Sequence, residues 1–316
     1  MITSDKEQTL VAWNNVAPGY DEFVTPTHMW LGNEGLRRVD LRPGMRFLDV
    51  AAGSGALSIP AARLGAQVLS TDISLGMLER LKARARKEGL NLETRIMDGH
   101  ALELEDNTFD FSGSQFGVML FPDMPRGISE LARVTKPGGC VLMNVFGPPQ
   151  KIEFFGFFVS AIQAAVPSFT GPPMDPPPLP FQLQDPEKLR QELAKAGLKD
   201  IRVETITEKL EFQSGKQLWN WLTNSNPIVG MVLAEVNLTK EQTVVVGRHA
   251  SAARQRYWSA SLTRWPEANL VAAGACAPAG AAAAMACRFA GAPFDQWTER
   301  RTIAAPYHSG ELRCAS

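Results

Sequence analysis

Between residues 46 and 146, short apolar runs alternate with longer amphipathic stretches. The runs at 46–50, 67–71, 92–97, 109–114 and 140–146 read as strands. The segments near 55–64, 75–88 and 124–135 read as the helices between them. This alternation predicts an α/β fold, a doubly wound and mostly parallel sheet with helices on both faces. Ligands of such sheets bind beyond the carboxyl ends of the strands, and Asp49, Asp72, Asp98 and Gln115 all fall at such ends. Upstream, residues 5–40 read as helices carrying an aromatic seam of Trp13, Tyr20, Phe23 and Trp30. Downstream, an apolar helix from Ile152 to Val166 leads into a proline-rich stretch, Pro172 to Pro180, read equally as a linker or as a semi-rigid pocket wall. Asp185-Pro186 marks a helix start, Gly197 its end, Ile201 to Phe212 a strand, and residues 215–235, with Trp219 and Trp221, a helical cap. The chain thus divides into a helical lid (1–40), a Rossmann-like core (41–146), and a cap with the last part of the sheet (147–246).

From 247 to 316 the texture changes. This tail is rich in alanine, with eight arginines, no lysine and little periodic patterning. It reads either as an out-of-frame or foreign segment or as a disordered extension, and it offers no good candidate for a closing antiparallel strand.

The chemistry concentrates at Asp49-Val50-Ala51-Ala52-Gly53-Ser54-Gly55 and at Asp72. A glycine turn between a strand and a helix lets backbone approach a ligand. An acid about twenty residues on, at the end of the next strand, can hold a ribose diol. A dinucleotide site usually has a third glycine or alanine, where this chain has Ser58, and Asp49 inside the strand would repel a diphosphate. A cofactor with a cationic end and no phosphate suits the loop better. S-adenosylmethionine, with its sulfonium and ammonium groups, is such a cofactor.

Four segments in order resemble the class I S-adenosylmethionine-dependent methyltransferases, in particular the branch of ubiquinone/menaquinone C-methyltransferases. They are the Asp49–Gly55 loop, Asp72, Met97-Asp98-Gly99-His100 running on to Phe109-Asp110, and Leu131 to Lys136-Pro137-Gly138-Gly139, and the resemblance covers roughly residues 10–146. It implies that Gly53 and Gly55 give the methionyl part room, with Ala51 and Ser54 completing the loop, and that Asp49 receives the ammonium group. Asp72 would accept both ribose hydroxyls, Ile73 and Met77 flank the adenine, and Asp98 accept from its amino group, with Gly99 leaving space and His100 at the ring edge. Gln115 and Phe116 would end the fourth strand at the sulfonium, and Tyr20, in a lid segment similar to the family's, would lie near the cofactor.

Methyl transfer from a sulfonium needs alignment and desolvation first, and a base only when the acceptor must lose a proton. His28 and His100 are the candidates, with Glu153 behind them. The fourth strand lacks the Asn/Asp-Pro-Pro-aromatic turn of amide- and adenine-methylating enzymes, and no Pro-Cys pair serves cytosine attack. Phe154, Phe155, Phe157, Phe158, Phe169, Phe181, Trp219 and Trp221 favour a small, largely apolar acceptor, aromatic or quinol-like. The formal net charge of −1 carries no nucleic-acid footprint. Cys140, Cys276, Cys287 and Cys314 form no close pair that would support a disulfide framework or a metal site. With no signal-peptide pattern and no membrane-length apolar run, the cytoplasm is the default expectation. A nicotinamide-dependent oxidoreductase and a non-catalytic binder of S-adenosylmethionine are the alternatives, and the oligomeric state stays open.

Overall fold

In the computed structural model, residues 2–210, 212, 214–257 and 267–276 are described. Helix α1 (Ile2–Gly19) passes through a π-helical turn, Tyr20–Val24, into α2 (Thr25–Arg38). The alternating part then follows as β1 (Arg46–Val50), α3 (Ser58–Arg63), β2 (Gln67–Asp72), α4 (Leu75–Lys87), β3 (Glu93–Ile96), β4 (Phe109–Gln115), α5 (Met124–Val134) and β5 (Thr135–Phe146). The remainder comprises α6 (Glu153–Gln163), α7 (Pro186–Lys195), β6 (Lys199–Lys209), α8 (Gly215–Ser225), α9 (Pro227–Val236), α10 (Lys240–Tyr257) and β7 (Glu267–Cys276).

The seven strands lie in the order β3-β2-β1-β4-β5-β7-β6. The first five are mutually parallel, and β7 runs antiparallel to both β5 and β6. Chain order reverses between β1 and β4, so their carboxyl ends open onto one crevice. Phe47, Leu48, Val141 and Leu142 are buried on these central strands, and α5 adds Ile128, Leu131 and Val134 from its inward stripe. Local signals set the helix starts. The side chain of Asp185 accepts from the Glu187 amide at 2.9 Å, as its place before Pro186 predicts, and Ser74 caps α4 through the Met77 amide at 3.1 Å.

Two expectations are corrected. The segment 247–316 does contain a closing strand: β7 is register-paired with β5 along Phe146↔Leu270 to Cys140↔Cys276 and with β6 along its other edge. Its alanine-rich text hides it, because hydrogen bonding on both edges supplies what side-chain preference does not. The change of texture at 247 is also no structural boundary, since α10 crosses it. Val246 and Ala250 of α10 are buried against Ala161, with Phe157 and Trp219 beside them. The rest of that tail lies outside the described residues. The proline-rich stretch ends as a packed wall, with Pro180, Phe181 and Leu183 buried and the Phe181 ring 6.3 Å from Phe146. No helix among the described residues is long and apolar enough to cross a membrane.

Candidate active site

Asp49 ends β1 almost fully buried, 1% exposed. One carboxylate oxygen, Oδ2, accepts from the Ser58 hydroxyl at 2.5 Å, and that hydroxyl is 2.7 Å from Ser70 Oγ on β2. The other oxygen, Oδ1, is buried with no hydrogen-bond partner. Such an orphan is costly, and a cation or a donor delivered by a ligand would relieve it. Burial pushes the Asp49 carboxyl up to about 7, against the Ser58 hydrogen bond and with help from the nearby Asp72 charge.

Beyond Asp49 the chain turns on residues that accept left-handed backbone. Ala51 has φ 55°, Gly53 φ 54° and Gly55 φ 102°. A Cβ at Gly55 would meet Ile59 Cγ1 and Leu81 Cγ at 3.0 Å, which explains the glycine there. The Gly53 amide donates to Asp72 Oδ2 at 2.8 Å, and the Ser74 amide to Asp72 Oδ1 at 2.8 Å. Backbone thus aims the Asp72 carboxylate while leaving lone pairs for a diol. Burial raises the Asp72 pKa against these amide bonds. Ser54 is buried with its hydroxyl 2.5 Å from Thr25 Oγ1, tying the loop to α2.

The N-terminal helices pack over this corner. Tyr20 Cε1 lies 3.5 Å from where a Gly53 Cβ would be, and burial followed by the charges of Asp72 and Asp49 raises the Tyr20 pKa, keeping its hydroxyl a donor. Asn14 Oδ1 accepts from the Ser74 hydroxyl at 2.7 Å and from the Gly76 amide at 3.0 Å. Arg84 binds Asp21 through both its side chain and its carbonyl, at 2.6 Å each.

Asp98 is joined to the same crevice, since the Met97 amide donates to the Asp72 carbonyl at 3.1 Å. Asp98 Oδ1 accepts from the His100 amide at 3.0 Å and meets His100 Nδ1 at 2.8 Å, while Oδ2 takes Lys6 Nζ at 2.6 Å. Partial burial pushes this carboxyl up, but Lys6 and His100 prevail and hold it well below the usual carboxylate range. The His100 ring lies 4.4 Å from Phe121, which also occupies the space a Gly99 side chain would need. His100 therefore belongs to the Asp98 end of the site, not to its aromatic wall.

That wall begins at Phe116, whose φ of 60° is unusual for an aromatic residue and turns its ring back over β5. Phe116 stacks on Phe146 at 4.8 Å and lies 5.0 Å from His28. Trp221 lies 6.3 Å from His28, 5.3 Å from Phe154 and 5.6 Å from Phe212. The Trp221 indole donates to the Phe23 carbonyl at 3.2 Å. His28 sits in this wall, buried at 4% exposure.

Gln115 ends β4, and its side-chain amide is engaged within the protein. Its Nε2 donates to the His28 carbonyl at 2.9 Å, and its Oε1 accepts from Asn144 Nδ2 at 2.9 Å, so the amide anchors α2 to the sheet. Met77 is fully buried on the inward face of α4, and Ile73 is half-buried just after Asp72. Sequence reasoning missed Ser58 as a partner of Asp49, although a polar residue at the third-glycine position was the available signal. Lys6, Asn14 and Thr25 carried none, because their contacts exist only once α1 and α2 are packed on the sheet.

Asp49 supplies a prediction for the cofactor-free chain. Its folded pKa of about 7 exceeds the ordinary carboxyl value of 3.8, so between these values the folded chain holds more protons than the unfolded one. Its contribution to stability is therefore lost as pH rises through that window. Asp49→Asn is expected to raise the Tm by about 5 °C at pH 8, with the two melting curves converging near pH 4. Thermal melts across pH check this, and an unchanged gap at pH 4 contradicts it.

A family model for the methyltransferase domain matches residues 48–143, which run from within β1 through β4 and most of β5. Two demethylmenaquinone methyltransferases are similar. That of Streptomyces avermitilis is 36% identical over 171 residues, covering 52% of this chain and 71% of its own. That of Corynebacterium urealyticum is 32% identical over 173 residues, covering 53% and 72%. An uncharacterized protein of Mycobacterium tuberculosis is 48% identical over 99 residues, 31% of this chain, and the match spans only 36% of that relative's length. Among solved structures, a chain of the complex between the Trm112 methyltransferase activator and a methyltransferase of Haloferax volcanii shares the fold. It has a TM-score of 0.52 at 17% identity, over 84% of this chain and 97% of that one. The chain belongs to the methyltransferase domain family, that of the S-adenosylmethionine-dependent methyltransferases.

Proposed function

We propose that this protein moves a methyl group from S-adenosylmethionine to a small, largely apolar acceptor of aromatic or quinol-like character. The observation that carries the reading is the buried, unpartnered Oδ1 of Asp49 beside the Gly53–Gly55 turn, with the Asp72 carboxylate aimed by two amides. An orphaned anion, a glycine cradle and a diol acceptor in one crevice fit the ammonium, methionyl and ribose parts of that cofactor. Asp98 is then the acceptor for the adenine amino group, with His100 fixing its other oxygen.

When bound, the cofactor supplies an electrophilic methyl with its leaving group already built in. The protein's part is to hold donor and acceptor in line and keep water out. Tyr20 covers the glycine turn from the lid, and the rings of Phe116, Phe146, Phe154 and Trp221 form the acceptor side. Residues 1–40 act as the lid, and 147–246 supply the acceptor cap together with part of the sheet, β6. His28 is the titratable group placed among those rings, suited to hydrogen-bond an acceptor hydroxyl.

The test is transfer of labelled methyl from S-adenosylmethionine to a soluble naphthohydroquinone, with calorimetric binding of cofactor and demethylated product alongside. Label on a ring carbon or on a hydroxyl oxygen supports the proposal. Binding with no transfer to any phenol or hydroquinone favours a non-catalytic binder. In protein loaded with the demethylated product, 2-naphthol is expected to bind about tenfold more tightly than 2-methoxynaphthalene, the worth of roughly one hydrogen bond. His28→Leu should erase that preference, and an equal preference in both chains removes His28 from the acceptor site.

A further inference from the structure

We propose that Lys6 is a latch on the N-terminal lid, competing with the cofactor for the carboxylate of Asp98. The inference rests on the cofactor reading above, in which Asp98 accepts from the adenine amino group. Of the two Asp98 oxygens, Oδ1 already takes both the His100 amide and, at 2.8 Å, its ring Nδ1. The oxygen left for the adenine is Oδ2, and Lys6 Nζ stands on it at 2.6 Å. The latch therefore takes one of the two lone-pair positions on the acceptor atom that the cofactor would use, and its ammonium competes there for the carboxylate charge.

To release the latch, α1 has to swing about one point and leave α4, on which it packs. Pro18 lies inside the helix near its end, where it has no amide hydrogen to give to the turn before it and so weakens the helix there. Immediately beyond it the chain is fixed, with Gly19 pressed against the Asn224 carbonyl of α8 and the Phe23 carbonyl held by Trp221. Ahead of the proline, the described polar ties from α1 to the site are Lys6 to Asp98 and Asn14 to Ser74 and Gly76. A helix hinged at Pro18 and latched near its other end is a lid whose opening admits ligand to Asp72 and Asp98. Lys6 is 65% exposed, so the latch is weak enough to yield.

S-adenosylhomocysteine is the probe, because its opposite charges balance and salt acts mainly on the latch. Its affinity for the full chain is measured by calorimetry at low and high salt, with Lys6→Met and Lys6→Arg alongside. If Lys6 competes, Lys6→Met binds about threefold more tightly than wild type at low salt, the scale of an exposed ion pair. Lys6→Arg keeps the wild-type value, and high salt closes the gap by screening. Weaker binding by Lys6→Met would mean that Lys6 contacts the cofactor, and equal binding that the pair is idle; either overturns the latch. Absence of binding by all three chains removes the cofactor reading, and the latch with it.

Discussion

Asp72→Ala is expected to weaken binding of S-adenosylmethionine and its demethylated product by about 100-fold while leaving the chain folded. Two charge-assisted hydrogen bonds to ribose hydroxyls account for roughly 3 kcal/mol, which is two orders of magnitude in affinity. The Gly53 and Ser74 amides lose their acceptor at the same time, so the turn over the cofactor loosens as well. Asp72→Asn separates the two effects, since one oxygen remains to accept. Calorimetry on folded variants, with folding checked by circular dichroism, gives the answer. Full affinity in Asp72→Ala would contradict the assignment of the ribose acceptor.

The second large effect falls on the cap. Trp221→Ala removes a ring that touches His28, Phe154 and Phe212 and a donor that satisfies the Phe23 carbonyl. Truncating a buried tryptophan costs about 3–5 kcal/mol, so a fall in Tm on the order of 10 °C is expected. Trp221→Phe keeps most of the packing and should recover most of the loss, though not the hydrogen bond. A Tm unchanged in Trp221→Ala would show that the lid and cap are not held together through this ring.

The core of the fold was legible because parallel strands buried on both faces write themselves as apolar runs, as Phe47 to Val50 does, with a glycine turn marking the crevice. The acids at the strand ends were legible for the same reason. The place of Gln115 at the end of β4 is legible, but its hydrogen bonds are not, because sequence position fixes where a side chain starts and not where it turns. Its amide was already engaged by the His28 carbonyl and Asn144. Ser58 reads in the sequence only as a missing glycine, although its hydroxyl and its amide both steady the buried Asp49. Strand β7 was invisible because a run such as Ala272-Ala273-Gly274-Ala275 has no alternation, and its place is dictated by the edges of two other strands.

The order β5-β7-β6 has a consequence for how the molecule is made. Among the described strands β6 has only β7 as a neighbour, yet β7 follows it in the chain by almost sixty residues, from Lys209 to Glu267. During synthesis β6 leaves the ribosome with no partner to zip onto, and β5 waits with an open edge. Both are then exposed to mispairing until the later strand slides between them. A chain cut at residue 246 would therefore lose two strands of the sheet rather than one, together with the second half of α10.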